Sequence, residues 1–462
     1  MIRYFSFILL VTFLSSCGSV KPEAPEVVVE QNIDLSPQKA SIISVPIKID
    51  LKPYFKETNE SVPKVFKGKE QTCEGVSYAY KFIRDPIEFE GKGKDLIFNV
   101  DGKYALNLNY CPQCTEIFSS SGNCVIPRIY ASCGVNEPMR KMFVSYASEI
   151  GVTKDYKLRS TTKLRKVKAK TPCKITVFDY NATEKLEEEV KGALKDVEKD
   201  IDNEINAIDL RPDMEETWKL LAEPTDLEGY GYLYINPKKV AISDIEYKGD
   251  TAYFNTVLEA YPKIRLDTIE KKGHRLPNLS KYEKKEGFDI VMDISATYDS
   301  LSSVITKSIG GTSMELKGKE VIFDSVEVHG AQNHQLSLKI VFSGKKKGTL
   351  YLIGTPTFDS KTQRIAFPDL EFDIKTKSAL LKSAKWLFDK KVTDIIRESA
   401  SLELKPYLDT MKTTLNNNLS TELSEGVFMK GNVKDMMINT IYPRSEELFI
   451  RVSAEGKLEI SM

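Results

Sequence analysis

Through much of the first half of the chain, apolar residues recur at every second position. Ile43, Val45, Ile47 and Ile49 share one face, which is the period of a half-buried strand. A helix is expected from Leu51 to about Phe66, restricted by Pro53 and Pro63. Alternation then returns at Tyr78, Tyr80 and Phe82, at Leu96, Phe98 and Val100, and at Tyr104, Leu106 and Leu108. It continues over 143–147, 156–168 and 175–178, so the pattern predicts a long antiparallel meander, with Asp101-Gly102 as one hairpin turn.

At Thr183 the period changes. Leu186, Val190, Leu194, Val197, Ile201 and Ile205 are spaced by three and four on a charged background, which predicts one amphipathic helix with Thr183 at its N-cap. It ends before Arg211-Pro212, a short helix follows around Trp218, and strands return over 230–235, 241–247 and 253–260. From Gly287 the order repeats. A strand through Phe288, Ile290, Met292 and Ile294 precedes a helix carrying Leu301, Val304, Ile305 and Ile309, and further strands follow. A second long helix begins near Ser378, with Leu380, Ala384, Leu387, Phe388, Val392 and Ile395 as its stripe, a break near Pro406, and strands to the end. Lys67-Gly68-Lys69-Glu70 even has a counterpart in Lys317-Gly318-Lys319-Glu320. The reading is an α+β chain of two similar units, each a curved antiparallel sheet wrapped around a long amphipathic helix. The units are expected at 41–266 and 287–462, joined by a linker at 267–286.

The N-terminus adds an address. Residues 1–16 combine Arg3, an apolar run from Tyr4 to Phe13 and small residues, the make-up of an export signal. Leu14-Ser15-Ser16-Cys17-Gly18 reads as a lipobox in which Cys17 is acylated, and the polar, proline-bearing 17–40 as a tether. Gly18 and Ser19 stand where an Asp would favour the inner membrane, which leans the expectation towards the outer one. Six cysteines remain: Cys73, Cys111, Cys114, Cys124, Cys133 and Cys173. An even set in an exported chain implies disulfides, with Cys133 and Cys173 a first pairing because both lie at strand edges beside the same part of the meander. Cys111-Pro112-Gln113-Cys114 also has the spacing of a zinc ligand pair or a thioredoxin-like redox pair.

Composition narrows the chemistry. Of 462 residues, 66 are Lys or Arg and 66 Asp or Glu, so no basic surplus points to nucleic acid. The only histidines, His274, His329 and His334, read as loop residues, and no phosphate loop, nucleophile elbow or HExxH occurs. Lys345-Lys346-Lys347 and Lys271-Lys272 look like exposed turns. No catalytic residue, cofactor or metal is expected.

Asn236-Pro237, Tyr261-Pro262-Lys263, Leu276-Pro277-Asn278-Leu279, the run from Gly348 to Pro356, the run from Phe372 to Lys377 and Ala384-Lys385-Trp386-Leu387 together resemble the bacterial lipoprotein family classed as domain of unknown function 4403. Ser132-Cys133-Gly134 and Cys173 also sit where that family often has such residues. The resemblance implies export and lipidation, and no activity. The repeated plan is also similar to the tubular lipid-binding superfamily typified by bactericidal/permeability-increasing protein, which implies grooves for acyl chains beside the long helices. The expected function is a lipid-anchored, non-catalytic envelope protein. It holds a lipid or other apolar ligand against Leu186, Val190, Leu194, Val197 and Ile201, and against Leu380, Ala384, Leu387, Phe388, Val392 and Ile395. The alternative is a structural lipoprotein that binds a protein or glycan.

Overall fold

The computed structural model describes residues 22–24, 36–115, 123–175, 180–227, 231–265, 275–316, 319–344, 347–373, 376 and 390–462. The export signal, Cys17, most of the tether, His274, Lys271-Lys272 and Lys345-Lys346 lie outside them, as do Leu380, Ala384, Leu387 and Phe388 and the side chains of Val392 and Ile395.

The first half follows the alternating pattern closely. Strand β1 (Ser41–Asp50) leads into helix α1 (Lys52–Ser61). The helix is shorter than expected, because the chain is extended again at β2 (Val65–Glu70) after Pro63. Then come β3 (Gly75–Arg84), β4 (Glu88–Gly93), β5 (Asp95–Cys111), the short pair β6 (Cys114–Thr115) and β7 (Asn123–Cys124), β8 (Ile129–Cys133), β9 (Arg140–Val152) and β10 (Leu158–Ala169). Helix α2 (Thr183–Asn206) follows.

β1 carries the predicted period, yet its fully buried residues are Ser41 and Ser44 rather than the isoleucines. Both serine hydroxyls donate to backbone carbonyls, Ser41 to Val291 and Ser44 to Lys285. β1 is central, pairing antiparallel along its length with the strand Thr251–Ala260. On its other side it meets Phe288–Thr297 and, in parallel, Glu447–Ser461. Gly287 introduces that seam at φ +66°, where a Cβ would strike the carbonyl of Gly456, so only glycine fits. One sheet therefore runs through both halves and takes in 18 strands among the described residues; a separate five-stranded sheet forms within residues 313–372.

Two long helices wrapped by sheets are not found among the described residues. Of the described residues 53% are strand and 21% helix, so the protein is mostly β, with one large curled sheet. The longest described helix, α2, has no buried residue. It lies along β10, which pairs only with β9. The reason is electrostatic as much as hydrophobic. Carboxylates and an amide on one flank of α2 accept hydrogen bonds from the outward N–H groups of β10: Ala169 to Glu187 Oε1 (2.8 Å), Leu164 to Glu198 Oε1 (2.7 Å), Thr162 to Asp202 Oδ2 (3.2 Å) and Ser160 to Asn206 Oδ1 (2.7 Å). Those bonds satisfy an otherwise bare strand edge and hold the helix beside the sheet, not inside a curl.

This edge carries a pH prediction. Burial pushes the Asp202 carboxyl up, but hydrogen bonds from Thr162 and Ser160 outweigh it and bring it below its ordinary 3.8. A depressed folded value means that the stabilisation is present above the unfolded value and is lost as pH falls through the folded one. Amide protection of Thr162 should therefore fall relative to that of core Val144 as the pH drops below about 4; equal protection of the two down to the lowest pH would show that the carboxylate does not hold the edge.

One other expectation changes. Thr183 does not cap α2: the cap residue is Ala182, the Thr183 backbone N–H donates to Asn181 Oδ1, and the Thr183 hydroxyl accepts from the Cys173 N–H. Within the expected linker, Leu276 and Leu279 are buried against Tyr156, Trp218 and Val240.

Candidate functional site

The face of the sheet turned towards α2 is built by register. On β3 and β5, Tyr78 stands opposite Leu108, Tyr80 opposite Leu106 and Phe82 opposite Tyr104. On β5 and β8, Leu106 stands opposite Cys133, Leu108 opposite Ala131 and Tyr110 opposite Ile129. β9 and β10 add Met142, Val144 and Tyr146 beside Ala169, Val167 and Leu164. Because side chains alternate, these residues share one face, and it is almost wholly apolar.

Leu186, Val190, Leu194, Val197 and Ile201 of α2 all pack on this face, around buried Tyr104, Leu106, Met142, Val144, Tyr146 and Val167. The structure thus brings the first predicted stripe together, while the second lies outside the described residues. The stripe stays half-exposed along its whole length. Beside the helix the apolar face runs on without cover: Phe66 is 39% exposed, Tyr80 41%, Tyr110 44%, Ile129 47% and Val76 53%. Sequence periodicity had shown the helix stripe but not this open aromatic floor. The alternation at Tyr78, Tyr80 and Phe82 carried the signal, but not which of these residues the helix would cover.

One of the buried hydroxyls in the floor is unmatched. Tyr104 is 5% exposed and its hydroxyl has no hydrogen-bond partner among the described residues. Burial pushes its ionisation up to about 12, against a smaller opposing pull from Arg140, so it stays a neutral donor. Its neighbour Tyr146, raised further by burial, donates to the Leu194 carbonyl of α2 at 3.3 Å.

The cysteines staple both ends of this surface. Cys133 is bonded to Cys173, as first expected, which ties β8 to the start of α2 with Cα atoms 5.6 Å apart. Cys111 and Cys114 do not act as a pair: Cys111 bonds Cys124 and Cys114 bonds Cys73. Spent in this way, their thiols match neither the zinc nor the redox reading of that spacing. Of the two described histidines, His329 departs from the loop expectation and His334 lies in the turn that follows it. His329 lies in the strand Lys319–Gly330, 3.7 Å from Glu327, and His334 sits at φ 58° with Nδ1 2.8 Å from the Tyr442 hydroxyl.

Fold and site together define a disulfide-stapled, mostly β protein with an apolar sheet face half covered by an amphipathic helix. The chain belongs to the family described as Domain of unknown function (DUF4403), whose model matches residues 39–462. No curated protein matches it. Solved structures similar to it include lipopolysaccharide binding protein, at 10% identity and a TM-score of 0.24, covering 92% of this chain and 99% of that one. P47 of Clostridium botulinum E1 is similar at 10% identity and 0.20, covering 89% and 98%, and P47 from Clostridium botulinum A2 at 8% and 0.21, covering 89% and 96%. At such TM-scores the site's chemistry has to be read from its own side chains.

Proposed function

We propose that the chain is a non-catalytic, lipid-anchored protein of the cell envelope, held by Cys17 at the outer membrane, and that it binds a lipid or similar apolar ligand between α2 and the open sheet face. The observation that supports this reading is the uncovered run of Phe66, Tyr80, Val76, Tyr110 and Ile129, continuous with the floor under the α2 stripe. Contiguous apolar surface of this kind, beside a helix that closes only part of it, marks a binding surface rather than a finished core. An acyl chain laid along it would remove apolar area from water at about 25 cal/mol per Å². The Tyr104 hydroxyl adds one donor for an ester or amide carbonyl.

The test is lipid extraction from the purified full-length protein, followed by mass spectrometry. A bound lipid is expected, and Tyr80→Glu, at a half-exposed position, should lower the amount retained about tenfold or more. Stoichiometric recovery of a protein partner with no lipid would instead favour a structural envelope protein.

A further inference from the structure

The opposite face of the same sheet carries a different chemistry. In register, Lys67 on β2 lies directly opposite Lys81 on β3, and Lys103 on β5 directly opposite Lys141 on β9. Their positions put all four on the side away from α2, and all four are exposed. Like charges directly across a sheet are destabilising, and among the described residues none of these ammonium groups has an ion-pair partner. β10 extends the field on that face with Arg159, Lys163, Lys166 and Lys168, facing Gly151, Ala147, Ser145 and Phe143 of β9. The acids on that face are fewer: Asp101 is engaged by Lys170, Asp95 lies opposite Lys92, and Glu149 on β9 and Glu88 and Glu90 on β4 make up the rest.

We propose that this face is a docking surface for the phosphate headgroups of an anionic phospholipid bilayer. The chain as a whole is charge-neutral, so this predominantly basic face is a local concentration and not a reflection of composition. It is broad: β2, β3, β5, β9 and β10 together span about 20 Å, and Arg159 to Lys168 about 30 Å along the strand. That form suits a plane of headgroups better than one small anion. Three disulfides place the domain in an oxidising compartment, where membranes and not nucleic acids are the extended anionic surfaces. Binding would relieve the Lys67–Lys81 and Lys103–Lys141 repulsions that the free protein carries. The proposal does not depend on the apolar reading, which concerns the other side of the sheet.

The experiment measures partition of the full-length chain into vesicles of phosphatidylcholine mixed with phosphatidylglycerol, against vesicles of phosphatidylcholine alone. An apolar N-terminal segment contributes equally to both, so their ratio isolates charge. The ratio should favour the anionic vesicles and collapse at high salt. Lys81→Gln with Lys141→Gln should lower it about 25-fold, about fivefold per lysine, while Lys81→Arg with Lys141→Arg keeps it. The Gln variant should also melt at the same or a higher temperature, because it removes repulsion; a purely structural role for these lysines would lower it. A wild-type ratio near one, an unchanged ratio in the Gln variant, or tighter capture by heparin than by the anionic vesicles would each overturn the proposal.

Discussion

Replacing Cys133 and Cys173 together by alanine should cost about 4 kcal/mol of stability, the chain-entropy value for a cross-link that closes a loop of this length. The two residues are 40 apart in sequence and fully buried. The consequence reaches beyond the bond itself. The Cys173 N–H donates to Thr183 Oγ1, and its carbonyl accepts from the Ala182 N–H, so the disulfide holds the first turn of α2 against β8. Denaturant melts should show the loss, and hydrogen exchange should show it first in the opening turns of α2. Cys73–Cys114 closes a loop of 41 residues, so chain entropy alone assigns it the same value. Its cysteines are half-exposed and sit at the strand ends away from the buried cluster, so removing it should leave α2 protected. Equal fraying of α2 in both double variants would show that the staple does not position the helix.

Tyr156→Ala should cost about as much, about 4 kcal/mol, through a different mechanism: a large cavity in a site that cannot collapse. Tyr156 has no exposed surface and packs against Trp218, Val240, Leu276 and Leu279. Its hydroxyl donates to the Pro277 carbonyl at 2.7 Å, which pins the segment between the two halves onto the first. Tyr156→Phe keeps the ring and loses only that bond, for about 1 kcal/mol. The residue sits at φ 69°, in the left-handed region that tyrosine seldom occupies, so the surrounding contacts evidently hold it there. Urea melts of the two variants separate the packing from the hydrogen bond, and a Phe variant as unstable as the Ala variant would assign the whole effect to the bond.

The strands were legible wherever one face is buried and the other wet. Tyr78, Tyr80 and Phe82 alternate because β3 has a helix on one side and water on the other, and such alternation needs no partner to be visible. The α2 stripe was equally clear, since its period depends only on which side of the helix meets apolar atoms. What the stripe meets was not legible. A helix enclosed by a sheet and one laid along an edge strand show the same spacing. The deciding contacts, Glu187, Glu198, Asp202 and Asn206 on the N–H groups of β10, use residues that in sequence look like an ordinary solvated flank.

The same division holds for the cysteines and the candidate surfaces. An even cysteine count in a chain expected to be exported implied cross-links, but pairing depends on which strand ends meet in space, and only the fold separated Cys111 from Cys114. The sequence by itself determined the elements, the amphipathic stripe and the family, because each depends on local periodicity or on short runs of residues. The tertiary structure alone decided that β1 knits both halves into one sheet, that an aromatic floor stays open beside α2, and that lysines far apart in the chain face one another. Those outcomes depend on register between strands, and register is set by long-range pairing that no window of sequence contains.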